Sequence, residues 1–116
     1  MAATLLQTSP LTRSEGTGTA QTFTFGSGVP AGSGVILTFV HYPGGNPTGV
    51  TDNLGNTYSL AVRADAGGNQ AEIWHALSIS SNGTTPLVIT ATFSAGGNYT
   101  TGVATAWSGI DGLDRT

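Results

Sequence analysis

Residues 87–94 read Leu-Val-Ile-Thr-Ala-Thr-Phe-Ser, and this stretch decides the fold. Apolar side chains recur along it with a period of two, which is typical of a β-strand with one buried face. Asn82 and Gly83 precede it and form a dipeptide typical of a β-hairpin turn. The pattern predicts inward-facing Leu87, Ile89, Ala91 and Phe93 and outward-facing Val88, Thr90, Thr92 and Ser94.

The same alternation of turns and strands recurs along the chain. Two glycines precede an asparagine at residues 44–46, 67–69 and 96–98, each time between apolar, β-branched or aromatic runs. Glycine and asparagine tolerate the positive φ that tight turns between strands require. The run Val35–Tyr42 is almost wholly apolar, as expected for a strand near the middle of a sandwich. No segment of useful length has a helical period, so we expect an all-β domain.

About eight short strands at intervals of roughly 8 to 12 residues predict an antiparallel β-sandwich of the jelly-roll type. Residues 1–19 are predicted to be an N-terminal arm with one short strand, and residues 20–116 to be the β-sandwich domain. Few charges are available to guard edge strands, so we expect a neighbouring chain to cover at least one edge. The predicted strands are Thr4–Thr8, Ala20–Phe25, Val35–Tyr42, Gly49–Thr51, Thr57–Ala64, Gln70–Ile79, Leu87–Ser94 and Thr101–Trp107.

Composition restricts the classes of function. The chain has 116 residues, 8% of them charged, a formal net charge of −3, no cysteine, and three basic residues that are all arginine. A surface that binds phosphate backbones or anionic membranes is basic, so we expect neither nucleic acid nor a membrane as a partner. The absence of cysteine excludes disulfides and thiolate chemistry.

The first ten residues contain neither the cationic region nor the long apolar region of a signal peptide. A surface rich in Thr, Ser, Gly and Asn and free of lysine is nevertheless typical of a protein that works outside a cell. A phage virion protein, assembled in the host cytoplasm and then exposed, reconciles the two observations. A fragment or processed form of a secreted or cell-surface protein also reconciles them.

Four stretches of the chain resemble a known type of module. They are residues 50–58, 72–76, 88–94 and 106–110, which read VTDNLGNTY, EIWHA, VITATFS and AWSGI. In this order they resemble a β-sandwich module of bacterial surface proteins and phage structural proteins. The resemblance spans a little over half of the chain and rests on turn and core patterns. Such modules often continue beyond the point where this chain ends, which implies completion by oligomerisation or a shortened fold.

Candidate metal and catalytic sites are few. Asp52, Asn53 and Asn56 bring oxygen atoms to a predicted turn, where they either contribute to a Ca²⁺ site or, as the turn rules favour, form Asx turns with Gly55 at positive φ. The two histidines lie in predicted strands without metal-ligand spacing, so we interpret them as packed core or edge residues. No nucleophile elbow or well-supported carboxylate pair is present. We therefore predict no catalytic residue, no metal, no cofactor and no enzymatic activity.

Aromatic rings support the main alternative function. Tyr99, Tyr42 and Trp74 are candidates for stacking on the faces of sugars, with Tyr99 the ring most expected to be exposed. The competing interpretation is that Trp74 and Trp107 fill the core, as tryptophans within strands commonly do.

We predict a non-enzymatic structural protein of a phage virion, a capsid decoration or tail-associated module that acts through protein–protein interfaces. Its predicted partners are itself, as a homo-oligomer such as a trimer, and other virion proteins. Residues 2–19 are expected to lie across a neighbouring subunit. The alternative is a carbohydrate-binding or adhesive β-sandwich module of a bacterial surface or secreted protein.

Overall fold

A computed structural model describes residues 3–15, 19–42, 47–94 and 99–110. These residues form β-strands and no helix, which confirms the all-β prediction. Among them there is no helix long and apolar enough to cross a membrane. The strands are β1 (Thr4–Thr8), β2 (Thr12–Glu15), β3 (Ala20–Gly28), β4 (Gly34–Tyr42), β5 (Pro47–Asp52), β6 (Ser59–Ala66), β7 (Asn69–Ala76), β8 (Pro86–Phe93) and β9 (Tyr99–Ser108).

The strands form two antiparallel sheets. The larger sheet has the order β1–β9–β4–β7–β6, and β2 also pairs with β9. Because β1 pairs with residues 105–108 and β2 with residues 99–102, the two short strands share one edge position along β9. The smaller sheet has the order β3–β8–β5. Five strand positions therefore face three, which confirms the predicted antiparallel β-sandwich of about eight strands.

Strand pairing is nested as in a jelly roll. β1 and β2 pair with β9, β3 pairs with β8 and β4 pairs with β7, so strands from the two ends of the chain pair inward in succession. The chain changes sheet at most connections, as it does in jelly rolls. β6 departs from this pattern because it pairs with β7 at the edge of the larger sheet and not with β5. That departure makes the larger sheet two positions wider than the smaller one.

The core lies between the two sheets. All four predicted inward residues of β8 are buried, as the sequence pattern predicts. Phe39 of β4 lies among other aromatic residues, with its ring centroid 6.1 Å from those of both Phe23 and Phe93. Gly102 of β9 lies opposite Phe39, and a Cβ atom at this position would lie 2.5 Å from the Phe39 Cβ. A glycine is therefore needed where β9 passes the aromatic cluster.

The segment predicted to be an N-terminal arm belongs to the larger sheet. Residues 4–8 form the short strand that is predicted there, but residues 12–15, predicted to be a loop, form β2. Between these strands Ser9 is buried; its amide donates to the Ala104 carbonyl and its hydroxyl accepts from the Ala104 amide, both at 2.8 Å. Residues 4–8 and 12–15 pair with β9 of their own chain, and their contact with a neighbouring subunit stays a prediction.

The turn after β6 confirms one of the three glycine-pair predictions. Gly67 and Gly68 have φ angles of 62° and 91° between β6 and β7. The glycine pairs at residues 44–45 and 96–97 lie outside the described residues. The strand predicted over residues 70–79 ends at Ala76, because Ser78 has a φ of 55° that extended backbone does not allow.

Candidate functional site

Four strands of the larger sheet, β4, β6, β7 and β9, have an inverted distribution of charge, whereas β2 places Arg13 and Glu15 at register positions opposite Thr101 and Tyr99 on the outer side. Within β4, β6, β7 and β9 the only Asp, Glu, Lys or Arg residues are Arg63, Asp65 and Glu72. Glu72 is buried on the inner side, Arg63 lies opposite it, and Asp65 lies two residues further along β6 opposite Gln70. All three charges therefore project from the inner side. Exposed antiparallel sheets ordinarily have the reverse arrangement, with polar residues outward.

Glu72 is the centre of a buried polar cluster. Its Oε1 atom accepts hydrogen bonds from the Trp74 indole at 2.8 Å and from Arg63 Nη2 at 3.2 Å. Its Oε2 atom lies 2.9 Å from His41 Nε2 and 3.2 Å from Arg63 Nε. The Glu72 carboxylate accepts only, so His41 Nε2 is the donor. His41 is itself buried, 5.3 Å from the Phe93 ring centroid, as predicted for a packed histidine.

The geometry of this cluster suits a structural role. Each Glu72 oxygen already has two partners, whereas a general base needs a free lone pair within reach of a substrate proton. The contacts join β4, β6 and β7 across the edge of the sandwich. Sequence reasoning missed the cluster. Alternation in β7 places Glu72 and Trp74 on one face, but only the strand register brings Arg63 and His41 to them.

The Asp52 turn is also structural. The Asp52 Oδ1 atom accepts hydrogen bonds from the backbone amides of Leu54 at 2.9 Å and Asn56 at 3.0 Å, and Gly55 has a φ of 81°. The Oδ2 atom accepts from the Asn56 amide group and the Tyr58 hydroxyl. Burial, together with the charge and hydrogen bond of Asp52, raises the pKa of Tyr58 far above its ordinary value. These contacts form the predicted Asx turn.

No described group of three or more His, Asp or Glu side chains could hold a metal ion. The two histidines do not converge, since they occupy opposite faces of the larger sheet. His41 points into the sandwich, whereas His75 is half-buried on the outer side opposite Ile36. His75 Nδ1 is buried without a hydrogen-bond partner.

The outer face of the larger sheet is apolar and exposed. Val40 and Val62 are each 50% exposed, and a continuous row runs across four strands from Val62 through Ile73 and Thr38 to Val103. Five strand positions and about eight residues of length correspond to roughly 24 Å by 25 Å, or about 600 Å². Apolar side chains occupy part of this area, and apolar patches of about 300–600 Å² are often functional. We define the outer face by the residues at its register positions: Leu5, Thr8, Arg13, Glu15, Ile36, Thr38, Val40, Tyr42, Val62, Ala64, Ala71, Ile73, His75, Tyr99, Thr101, Val103, Thr105 and Trp107.

Two of the three candidate sugar-stacking residues meet on this face. Tyr42 and Tyr99 are cross-strand partners at one end of β4 and β9, and they are 46% and 57% exposed. Trp74, the third candidate, is buried on the inner side and its indole nitrogen is bonded to Glu72, so its ring is not available for stacking. Trp107 is half-buried on the outer face and not in the core. The structure therefore leaves a tyrosine pair as the candidate sugar-binding surface.

The sheet edges carry their own protection. The pairing register shifts within β1, β3, β5 and β6, and such irregularities obstruct the addition of another strand. β5 is also short and begins with Pro47. β6 carries Arg63 and Asp65 on its inner side, and inward-pointing charges are a known defence of edge strands. The scarcity of charge therefore does not leave these edges open, contrary to the reasoning behind the predicted edge cover.

The smaller sheet has a different outer face. β3, β8 and β5 present mainly hydroxyl groups there, and cross-strand pairing places Thr22 opposite Thr90 and Thr90 opposite Thr51. Thr22, Thr24, Thr51 and Thr92 are exposed. Water can hydrate these hydroxyl groups, so this face does not need a protein partner. Substitutions on it therefore serve as controls for substitutions on the outer face of the larger sheet.

Comparison of the chain with protein-family models, with curated proteins and with solved structures found no match.

Proposed function

We propose that this chain is a non-enzymatic structural subunit of a phage virion, a capsid decoration or tail-associated module, that acts through the outer face of the larger sheet. One observation carries the proposal: the charges of β6 and β7 project inward while valine, isoleucine and tyrosine side chains of the same sheet project into solvent. Covering apolar area yields about 25 cal/mol per Å². Binding of another protein to the outer face is therefore favourable.

The other parts of the molecule favour this face as the interaction surface. The edges are irregular, so β-strand addition is disfavoured. The inner carboxylate, Glu72, is occupied by contacts within the chain. Permanent interfaces resemble a domain core cut in half and are depleted in charge, as the outer face is.

The test is whether the chain is a constituent of particles. Particles banded in a density gradient, from a culture that carries the gene, are analysed by quantitative mass spectrometry. We expect the chain to be present in fixed proportion to the other particle proteins and to stay bound in high salt, since β4, β6, β7 and β9 carry no Asp, Glu, Lys or Arg on the outer face to be screened. Val40→Lys is expected to remove the chain from particles, and Thr24→Lys on the smaller sheet is the control. Recovery of the chain only in secreted or cell-surface fractions would contradict the proposal.

The tyrosine pair supports a second candidate function, a carbohydrate-binding module. Tyr42 and Tyr99 lie side by side on an exposed surface, and aromatic rings of this kind suit stacking on sugar rings. Affinity electrophoresis in gels that contain bacterial polysaccharides tests this function. Tyr42→Ala and Tyr99→Ala should each abolish retardation, whereas Val62→Ala, on the same face but without a ring, should leave it unchanged. Equal migration in gels with and without polysaccharide would exclude binding to the glycans tested.

A further inference from the structure

We propose that the outer face is occupied by a second copy of this chain, related to the first by a two-fold axis close to Thr38 and Val40. This inference rests on the proposed function, because it takes the outer face as the interaction surface and names the partner. Three features of the molecule support it: the area of the face, the lack of charge on the outer side of its central strands and the central position of β4.

The area of the outer face matches the requirement of a stable dimer. Two faces of about 600 Å² each would bury roughly 1,200 Å² together, which lies at the lower end of specific protein–protein interfaces. Smaller patches bind only transiently. A second copy supplies an equal apolar area without any other protein having to be invoked.

Charge also favours a second copy. Copies of a chain with a net charge of −3 repel each other in general, so a self-association surface must exclude like charges. On the outer side, β4, β6, β7 and β9 contribute no Asp, Glu, Lys or Arg. Asp65 and Glu72 project from the opposite side of the sheet. Arg13 and Glu15 of β2 occupy register positions opposite Thr101 and Tyr99, but they are opposite in charge and lie two strand positions from the axis at β4. Two outer faces can therefore meet around the axis without like charges in contact.

The position of β4 determines the symmetry. It lies in the middle of the five strand positions, with β9 on one side and β7 on the other. In an isologous contact the residues nearest the axis meet their own symmetry mates, and here these are Thr38 and Val40. Two sheets packed in this way lie about 10 Å apart. Such an interface closes with two copies, so the geometry favours a dimer over the trimer considered from the sequence.

Sedimentation equilibrium measures the proposed dimer directly. We expect wild-type protein and Thr24→Lys to form dimers of equal stability. We expect Val40→Lys to raise the dissociation constant about a thousandfold, because an isologous substitution enters the centre of the interface twice. Thr38→Lys provides a second variant near the axis if Val40→Lys does not fold, and circular dichroism establishes folding for each.

Cross-linking locates the axis, and the lack of cysteine makes the result unambiguous. A single Val40→Cys variant treated with a bismaleimide of about 10 Å reach, the expected spacing of packed sheets, can link only to the same residue of a second copy. We expect rapid dimer formation on denaturing gels, and little with Thr24→Cys. Faster cross-linking of Thr24→Cys would overturn the proposed interface.

Failure of this inference can be told apart from failure of the proposed function. A wild-type monomer at the highest concentration reached, or a dimer that survives Val40→Lys and Thr38→Lys, overturns the second copy. If Val40→Lys is still lost from particles, the proposed function stands with a different protein as the partner. If the wild-type protein forms the dimer but is absent from particles, the second copy stands and the proposed function is overturned. A monomer that sediments with phosphatidylcholine vesicles would replace the second copy with a lipid surface.

Discussion

Replacing Glu72 tests whether the buried carboxylate is structural. In Glu72→Ala the Trp74 indole and His41 Nε2 each lose a hydrogen-bond partner inside the sandwich. A buried donor left unsatisfied costs about 1–3 kcal/mol, and the cavity left by the missing γ-methylene and carboxylate groups costs about 1 kcal/mol more. The Arg63 side chain is 31% exposed and is hydrated when Glu72 is removed, so the loss of its ion pair contributes little to the change in the free energy of unfolding. We expect the free energy of unfolding to fall by about 4 kcal/mol.

Glu72→Gln separates charge from packing. Glutamine keeps the volume and one acceptor oxygen, which can still accept from the Trp74 indole and Arg63. The glutamine amide nitrogen would face the His41 Nε2–H group, so two donors would meet. His41 can carry its proton on Nδ1 instead, and Nε2 then accepts a hydrogen bond from the amide. We therefore expect a loss of only about 1–2 kcal/mol. Asp65→Asn is the control, since Asp65 is an exposed residue, and it should change stability by less than about 0.5 kcal/mol.

The assay is urea unfolding followed by circular dichroism, with the midpoint and the denaturant slope fitted for each variant. Equal slopes are required before free energies are compared. Because total stability is typically 5–15 kcal/mol, Glu72→Ala is also examined at low temperature. A loss below about 1 kcal/mol for Glu72→Ala would refute the structural reasoning. The cluster would then be a candidate for ligand binding.

Three further outcomes are expected. The raised pKa of Tyr58 keeps the hydroxyl protonated in the folded state, whereas the unfolded chain loses this proton above about pH 10. The free energy of unfolding from urea titrations should therefore be constant up to about that pH and fall above it by about 1.4 kcal/mol per pH unit. Tyr58→Phe should abolish this slope. Gly102→Ala should cost about 2–4 kcal/mol of unfolding free energy because its Cβ would lie 2.5 Å from Phe39, whereas Gly49→Ala, with nothing within 4 Å, should cost under about 1 kcal/mol. Deleting residues 1–11 should lower the thermal midpoint, since it removes β1 and the buried Ser9; an unchanged midpoint would show that this segment is dispensable.

Local patterns predicted most of the strands but not their arrangement. Alternation identified the inward face of β8, and the glycine pair at residues 67–68 identified the β6–β7 turn. β2 was not predicted, because Thr-Arg-Ser-Glu has no apolar periodicity and pairs only because β9 is long enough to provide a partner. The turn at residues 67–68 explains why β6 pairs with β7, but the placement of this hairpin beside β4 in the larger sheet depends on pairing between strands that are distant in sequence. No turn signal carries that information.

The candidate site could be predicted only in part. The position of Tyr99 beside a glycine turn suggested exposure, and the structure places it on an open face beside Tyr42. Trp74 was a candidate because its side of the strand is not evident from residue type alone. The Glu72 cluster needed the register of β4, β6 and β7, which fixes the positions of His41 and Arg63 relative to the carboxylate.

The sequence of β4 itself explains why the outer face calls for a partner. Strands that are apolar on both sides are typical of sheets covered on both sides. β4 has Val35, Leu37 and Phe39 inward, and these are covered by the core. Val40 and Tyr42 point the other way and remain exposed, although a strand with one solvated face would have polar residues there. The neighbouring strands β6 and β7 keep their charges on the inner side. Apolar side chains outward and charges inward are the arrangement expected of a face that is covered from outside the chain.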